Sequence, residues 1–261
     1  MKEYFLQIII SLSNFIFLKK NYSLKLVIDI GNTSTGISLF KGKNLFKTST
    51  INECILKNVE GFVANKEISA SIISSVKEIN PEVVRISDYY NALIFSQNLL
   101  VPIKNQYKTP ETLGMDRLAA VVGAHFLYPG RDVVVVDAGT CLTIDFVTAR
   151  GEYIGGKISP GIKMRYQALH TFTDKLPLVG KEKDHPSIGR DTLSSILSGV
   201  QCGILGEVRS IISDYRLEKP DTIVVITGGD CFFFEKELKN SIFAHPNLVM
   251  IGLNEILDFN V

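Results

Sequence analysis

Two short segments of this chain set carboxylates, glycines and hydroxyls in the same order. Leu26 to Phe40 reads LVIDIGNTSTGISLF, and Val133 to Val147 reads VVVVDAGTCLTIDFV. In each, an aliphatic run ends at an aspartate, Asp29 or Asp137. A Gly/Thr turn follows (Gly31 to Thr33; Gly139 and Thr140), and then a second apolar run. A β-branched run forms a buried strand, and a lone carboxylate at its end needs a reason. A metal-nucleotide supplies one. Glycine lets backbone N–H groups approach phosphate oxygens closely, and Thr or Ser hydroxyls add donors. The carboxylate can hold Mg²⁺ directly or through water, because that ion prefers oxygen ligands and keeps several waters. Two such turns facing each other grip a triphosphate from both sides. The plainer alternative is that Asp-Gly and Asn-Thr only make hairpin turns. Their repetition, each time after a buried strand, favours the chemical reading.

Positioning these turns requires alternating strands and helices. Leu26–Asp29 with Gly36–Phe40, and Val133–Asp137 with Leu142–Val147, read as two strand pairs. Ala70–Val76, Leu99–Ile103, Tyr153–Ile158 and Thr222–Thr227 read as further strands. Thr112 to Leu127 has helical spacing in Leu118, Ala119, Val122 and Phe126, and Pro129-Gly130 stops it. Ile162 to His170 reads as a helix. The clearest helix runs from Asp191 to Tyr215, with one apolar stripe from Leu193 to Ile212. Its Gly199, Gly203 and Gly206 lower its propensity, so close packing is expected to compensate. The chain therefore reads as two α/β halves, residues 24–130 and 131–261, with a nucleotide cleft between them.

Composition narrows the function. The 261 residues are 46% hydrophobic and 21% charged, which suits a globular chain with a substantial core. The formal net charge of +1 gives no electrostatic footprint for nucleic acid. Cys54, Cys141, Cys202 and Cys231 are too dispersed for a CxxC site and read as reduced thiols of a cytoplasmic protein. Residues 1–23 form an N-terminal extension whose apolar stretch, Tyr4 to Leu18, falls short of the ~20 residues a membrane span needs. Glu3 offsets Lys2 and no small-x-small cleavage site follows, so the segment reads as an extra helix or a start assigned too early, with no membrane role.

Several residues carry plainer readings. Gly151 to Lys157 matches GxxxxGK, but Ile158 stands where a magnesium-binding hydroxyl belongs, so the match is coincidental. His125 lies among apolar helix positions and reads as a satisfied structural histidine. Asp145 reads as a hairpin residue, with support of a cation site as the alternative. Thr227-Gly228-Gly229 either approaches an adenosine or simply turns the chain.

Five segments together carry a resemblance: DIGNT at 29–33, YKTPETLGMDR at 107–117, DAGTCLTID at 137–145, GGKISPG at 155–161 and TGG at 227–229. In this order they resemble type III pantothenate kinases, and the likeness spans nearly everything after residue 23. The resemblance implies two duplicated RNase H-like domains of the actin-like ATPase kind. It implies ATP-dependent phosphorylation of pantothenate to 4′-phosphopantothenate, the first step of coenzyme A synthesis, by a homodimer. The first phosphate loop would comprise Asp29, Ile30, Gly31, Asn32, Thr33, Ser34, Thr35 and Gly36, with Asp29 near Mg²⁺. Asp137 would bind a monovalent cation, K⁺ or NH₄⁺, and Thr140 would contact ATP. Tyr107, Gly114, Met115, Asp116, Arg117 and Thr192 would bind pantothenate, and Asp116 would accept the proton.

Chemistry fits that last role, since phosphoryl transfer depends on positioning and charge neutralisation beside the attacking hydroxyl. Arg117 can pair with a carboxylate or with developing phosphate charge. Asp116 can also serve as a helix cap, and the two roles are compatible. A non-catalytic ATP-binding regulatory module would keep the phosphate loops without needing Tyr107, Asp116 and Arg117 together. A kinase for another small alcohol or acid is the remaining alternative.

Overall fold

The computed structural model describes residues 23–238 and 242–261. All of the N-terminal extension up to residue 22 lies outside the described residues. The chain divides into two compact units: the residues up to Leu100 together with Leu253–Val261, and Val101–Gly252. The sequence pattern put the boundary near Pro129-Gly130. The observed division assigns the helix before that break to the second unit, because it packs on that unit's central strands.

In the first unit, β1 (Leu24–Ile30), β2 (Thr35–Lys41) and β3 (Asn44–Ile51) precede α1 (Leu56–Val63), β4 (Ile68–Ser75), α2 (Pro81–Tyr90) and β5 (Leu93–Ile94). The sheet order is β3-β2-β1-β4-β5, with β2 antiparallel to β1 and β4 parallel to it. Nearly every residue of β1 is buried, as a central strand covered on both faces must be. Ile28, Ile37, Leu39, Val59, Ile73 and Ile86 form its core. Asn80 caps α2 by accepting the Val83 N–H at 3.0 Å, and Pro81 follows where a missing N–H costs nothing. Lys25, buried in β1, reaches Asp258 at 2.6 Å, and Lys43 reaches Glu255 and Asp258 at 2.5 and 3.0 Å.

The second unit holds β6 (Lys104–Asn105), α3 (Met115–Leu127), β7 (Val133–Ala138), β8 (Cys141–Val147), β9 (Glu152–Pro160), α4 (Ile162–Thr171), α5 (Thr192–Glu218), β10 (Ile223–Thr227), α6 (Cys231–Leu238) and β11 (Ile242–Ala244). The first residues of α7 (Leu248–Asn260) complete it. Its sheet order is β11-β10-β7-β8-β9-β6. Without β6, this repeats the first sheet strand for strand, and the same antiparallel pairs and parallel neighbour recur. The duplication seen in the two Asp/Gly/Thr segments is thus a duplication of topology.

Two of these expectations change and one holds. The strand expected at Leu99–Ile103 is instead the two-residue β6, beginning after Pro102, which has no N–H to give a ladder. The GxxxxGK stretch is as expected no P-loop: after Gly151 it runs into β9, antiparallel to β8. Gly199, Gly203 and Gly206 are exposed on α5, and among the described residues a Cβ at any of them would meet nothing within 4 Å beyond the helix's own backbone. Close packing within the chain therefore does not offset their low propensity. Such packing occurs on α3, where a Cβ on Gly252 of α7 would stand 1.8 Å from the Ala119 carbonyl oxygen. Only glycine permits that backbone-to-backbone approach.

Candidate active site

Asp29 is the penultimate residue of β1, opposite Gly36 of β2 and Ser74 of β4. Ile30 buries its side chain and ends the strand. The Gly31 N–H donates to Ser34 O at 3.0 Å and closes a tight turn. Asn32, Thr33 and Ser34 are exposed at its tip, whereas Thr35 and Gly36 re-enter the sheet. The turn thus offers hydroxyls and backbone donors beside a half-buried carboxylate.

The second turn is built alike. Asp137 is the penultimate residue of β7, paired with Thr143 of β8 and Thr227 of β10. The Gly139 N–H donates to Cys141 O at 2.9 Å, and Thr140 is exposed. Thr227-Gly228-Gly229 lies directly against this turn. Gly228 has φ +87°, and a Cβ there would stand 2.4 Å from Asp137 Oδ1 and 2.5 Å from Ala138 O. The Asp230 N–H fixes the contact by donating to Ala138 O at 2.9 Å. Only a residue without a side chain fits there, so Gly228 is what lets the two turns pack together.

The third group is centred on α3. Its N-cap is Gly114, preceded by a single 3-10 turn at Pro110–Thr112. Met115 opens the helix and Asp116 follows, half-buried, with its Oδ1 accepting the Arg117 N–H at 2.8 Å. Asp116 therefore does part of a cap's work from inside the first turn. Burial pushes its carboxyl above the usual range, the Arg117 N–H and charge pull it down, and the Asp145 charge adds to the rise. Arg117 is buried and makes a two-pronged ion pair with Asp145: Nε to Oδ2 at 3.0 Å and Nη2 to Oδ1 at 2.5 Å. Burial alone would lower the guanidinium's pKa, but hydrogen bonding to Asp145 and its charge outweigh this and raise it. The Tyr153 hydroxyl donates to Asp145 Oδ1 at 2.7 Å, and burial together with Asp145 holds that phenol well above its ordinary value. Tyr107 stacks on Tyr153 at a ring separation of 6.0 Å, with the guanidinium 5.5 Å from the Tyr107 centroid.

The structure thus gathers Tyr107, Gly114, Met115, Asp116 and Arg117 in one place. Thr192 is exposed as the first residue of α5, beside the Asp191–Ser194 capping box. Asp145 is a mid-strand residue whose oxygens face Arg117 and Tyr153, so the alternative that it supports the cation site gives way. Tyr153 carried no sequence signal beyond its place in an apolar run. His125 differs from its expected state. Its Nδ1 is buried without a hydrogen-bond partner among the described residues, and burial lowers its pKa.

A repeated strand order with an Asp-ended central strand in each unit defines a two-domain kinase fold of the actin-like ATPase type. Solved structures share it. A Baf family protein from Campylobacter jejuni matches with TM-score 0.59 and 24% identity, covering 90% of this chain and 98% of that one. A glucokinase from an Antarctic psychrotroph matches with TM-score 0.51 and 11% identity, over 91% and 99%. The model of the family described as type III pantothenate kinase matches residues 25–214, and the chain belongs to that family. A type III pantothenate kinase of Phocaeicola vulgatus is 43% identical over 241 residues, covering 91% of this chain and 99% of the relative.

Proposed function

We propose that this chain transfers the γ-phosphoryl group of ATP to the primary hydroxyl of pantothenate, with Asp116 as the proton acceptor. The product is 4′-phosphopantothenate, and the reaction opens coenzyme A synthesis. The observation that carries the assignment of roles is the first turn of α3. There a half-buried carboxylate, its proton affinity raised by burial, stands beside a guanidinium that is itself neutralised. A base of this kind accepts a proton more readily than a solvated carboxylate.

Arg117, Tyr107, Gly114 and Met115 hold pantothenate around that base, and Thr192 reaches the same substrate. The Asp29–Gly36 turn binds ATP phosphate through its backbone donors and the hydroxyls of Thr33, Ser34 and Thr35, and Thr140 contacts the same nucleotide. Asp29 would hold Mg²⁺, and Asp137 with its neighbouring carbonyl would hold K⁺ or NH₄⁺. These cations, when bound, neutralise phosphate charge as the transfer proceeds. The exposed glycine face of α5 suits close approach by a second copy of the chain, so the working form is a homodimer. Among the described residues no helix is long and apolar enough to cross a membrane. Its donor nucleotide places the enzyme in the cytoplasm.

Replacing the base tests the reading. Asp116→Asn is expected to stay folded and to lose about 10²- to 10⁴-fold in kcat, the usual worth of a positioned base. Wild-type turnover in that variant would overturn the assignment.

A further inference from the structure

We infer that Asp145 and Tyr153 are positioning residues for the transfer, holding the Arg117 guanidinium in one orientation and balancing its charge beside the carboxylate of Asp116. The inference rests on the reading that Asp116 and Arg117 stand at the reacting centre.

The geometry is specific. Asp145 is 1% exposed and Tyr153 fully buried, so neither is positioned to touch substrate. Both oxygens of Asp145 are engaged by Arg117, and Oδ1 also accepts the Tyr153 hydroxyl. A two-pronged pair fixes the plane of a guanidinium as well as its place. Tyr107, stacked on Tyr153 with 4° between the ring planes, stands beside the Arg117 guanidinium. Space for this arrangement comes from Gly156, opposite Asp145 in the β8–β9 ladder. A Cβ there would fall 2.4 Å from Asp145 Oδ1 and 2.2 Å from Ile144 O. Gly156 thus leaves the room that the ion pair occupies.

The guanidinium bears on the base through its charge, which favours ionised Asp116, while the N–H that Asp116 Oδ1 accepts belongs to the Arg117 main chain and stays with the helix. The charged and titratable groups around Asp116 are Arg117 on its own helix, Asp145 on β8, and Tyr153 and Tyr107 behind the guanidinium. Without Asp145, Arg117 carries an uncompensated charge beside the base, and its orientation is no longer set.

The test compares Asp145→Asn, Tyr153→Phe, Arg117→Gln and the double variant Asp145→Asn/Arg117→Gln. Each is measured for kcat, KM for both substrates, and kcat against pH, after a folding check by circular dichroism. Asp145→Asn is expected to lose about 10²-fold in kcat, the cost of a misplacement near 1 Å, with the ATP KM unchanged. The acid limb of its pH profile should move to lower pH, since an unneutralised Arg117 favours ionised Asp116. Tyr153→Phe should lose several-fold in kcat with an unmoved acid limb. In the Arg117→Gln background, removing Asp145 should cost nothing more. Wild-type kcat and pH profile in Asp145→Asn, or a full additional loss in the double variant, would overturn the inference. If Asp145→Asn fails to fold, Tyr153→Phe decides, and wild-type kcat there counts against the idea. An inactive Asp116→Asn beside unaffected Asp145 and Tyr153 variants sinks this inference alone; an active Asp116→Asn sinks the assignment of the base beneath it.

Discussion

Burial raises the carboxyl pKa of Asp116, while the Arg117 N–H and guanidinium draw it back. The sign of the consequence for stability follows from linkage. A carboxyl whose folded pKa lies above its unfolded value binds its proton more tightly when folded. Its ionised form therefore costs stability at neutral pH, and that cost disappears as pH falls below the unfolded value of 3.8. Asp116→Asn is thus expected to melt no lower than wild type at pH 7, with any advantage vanishing below pH 3.8; a clear drop in Tm at pH 7 would contradict this. In the wild type, kcat should rise with pH through the raised Asp116 pKa and show its acid limb above the ordinary carboxylate range. Asp116 was legible in the sequence because LGMDR opens a helix within a recognisable run of motifs. The role of Asp145 was not legible. Its partner Arg117 lies 28 residues upstream on another element, and only the folding of β8 against α3 reveals the pair.

The strands that the sequence reveals are those that two-sided burial makes uniform. Val133 to Val136 are all at most 1% exposed, and an unbroken β-branched run is the mark of such a central strand. β3 leaves no such trace: NLFKTSTI is an edge strand with all but its last residue exposed, so neither alternation nor an apolar run marks it. The helix α3 was readable in outline from its spacing, but its seat was not. It packs on α7 where Gly123 and Gly252 bring two backbones together, and a glycine in a helix looks from sequence like a weakness. Gly252→Ala is expected to destabilise the fold by roughly 1–3 kcal/mol through overpacking against the Ala119 carbonyl, measured by urea unfolding. Unchanged stability would mean that the two helices can separate at no cost. Asn80→Ala, which removes the α2 cap, should cost about 1 kcal/mol in the same measurement.

Over the whole chain, the duplication inferred from two similar turns is matched by two sheets of the same strand order, each with its aspartate at the same place on the central strand. The equivalence gives the two aspartates a common origin in the fold, while their surroundings differ. Asp137 has the Thr227-Gly228-Gly229 turn pressed against it. Exchanging K⁺ for Na⁺ or Li⁺ is expected to lower kcat in steady-state assays; identical kinetics in all three would count against a specific site at Asp137. Sedimentation should give the mass of two chains, and Gly203→Leu on the exposed face of α5 should shift it towards one. The central claim is tested most directly by incubating the purified chain with ATP, Mg²⁺, K⁺ and pantothenate, and identifying the products by mass spectrometry. Stoichiometric 4′-phosphopantothenate and ADP are expected. Phosphorylation of a sugar or acetate with pantothenate left untouched would contradict it.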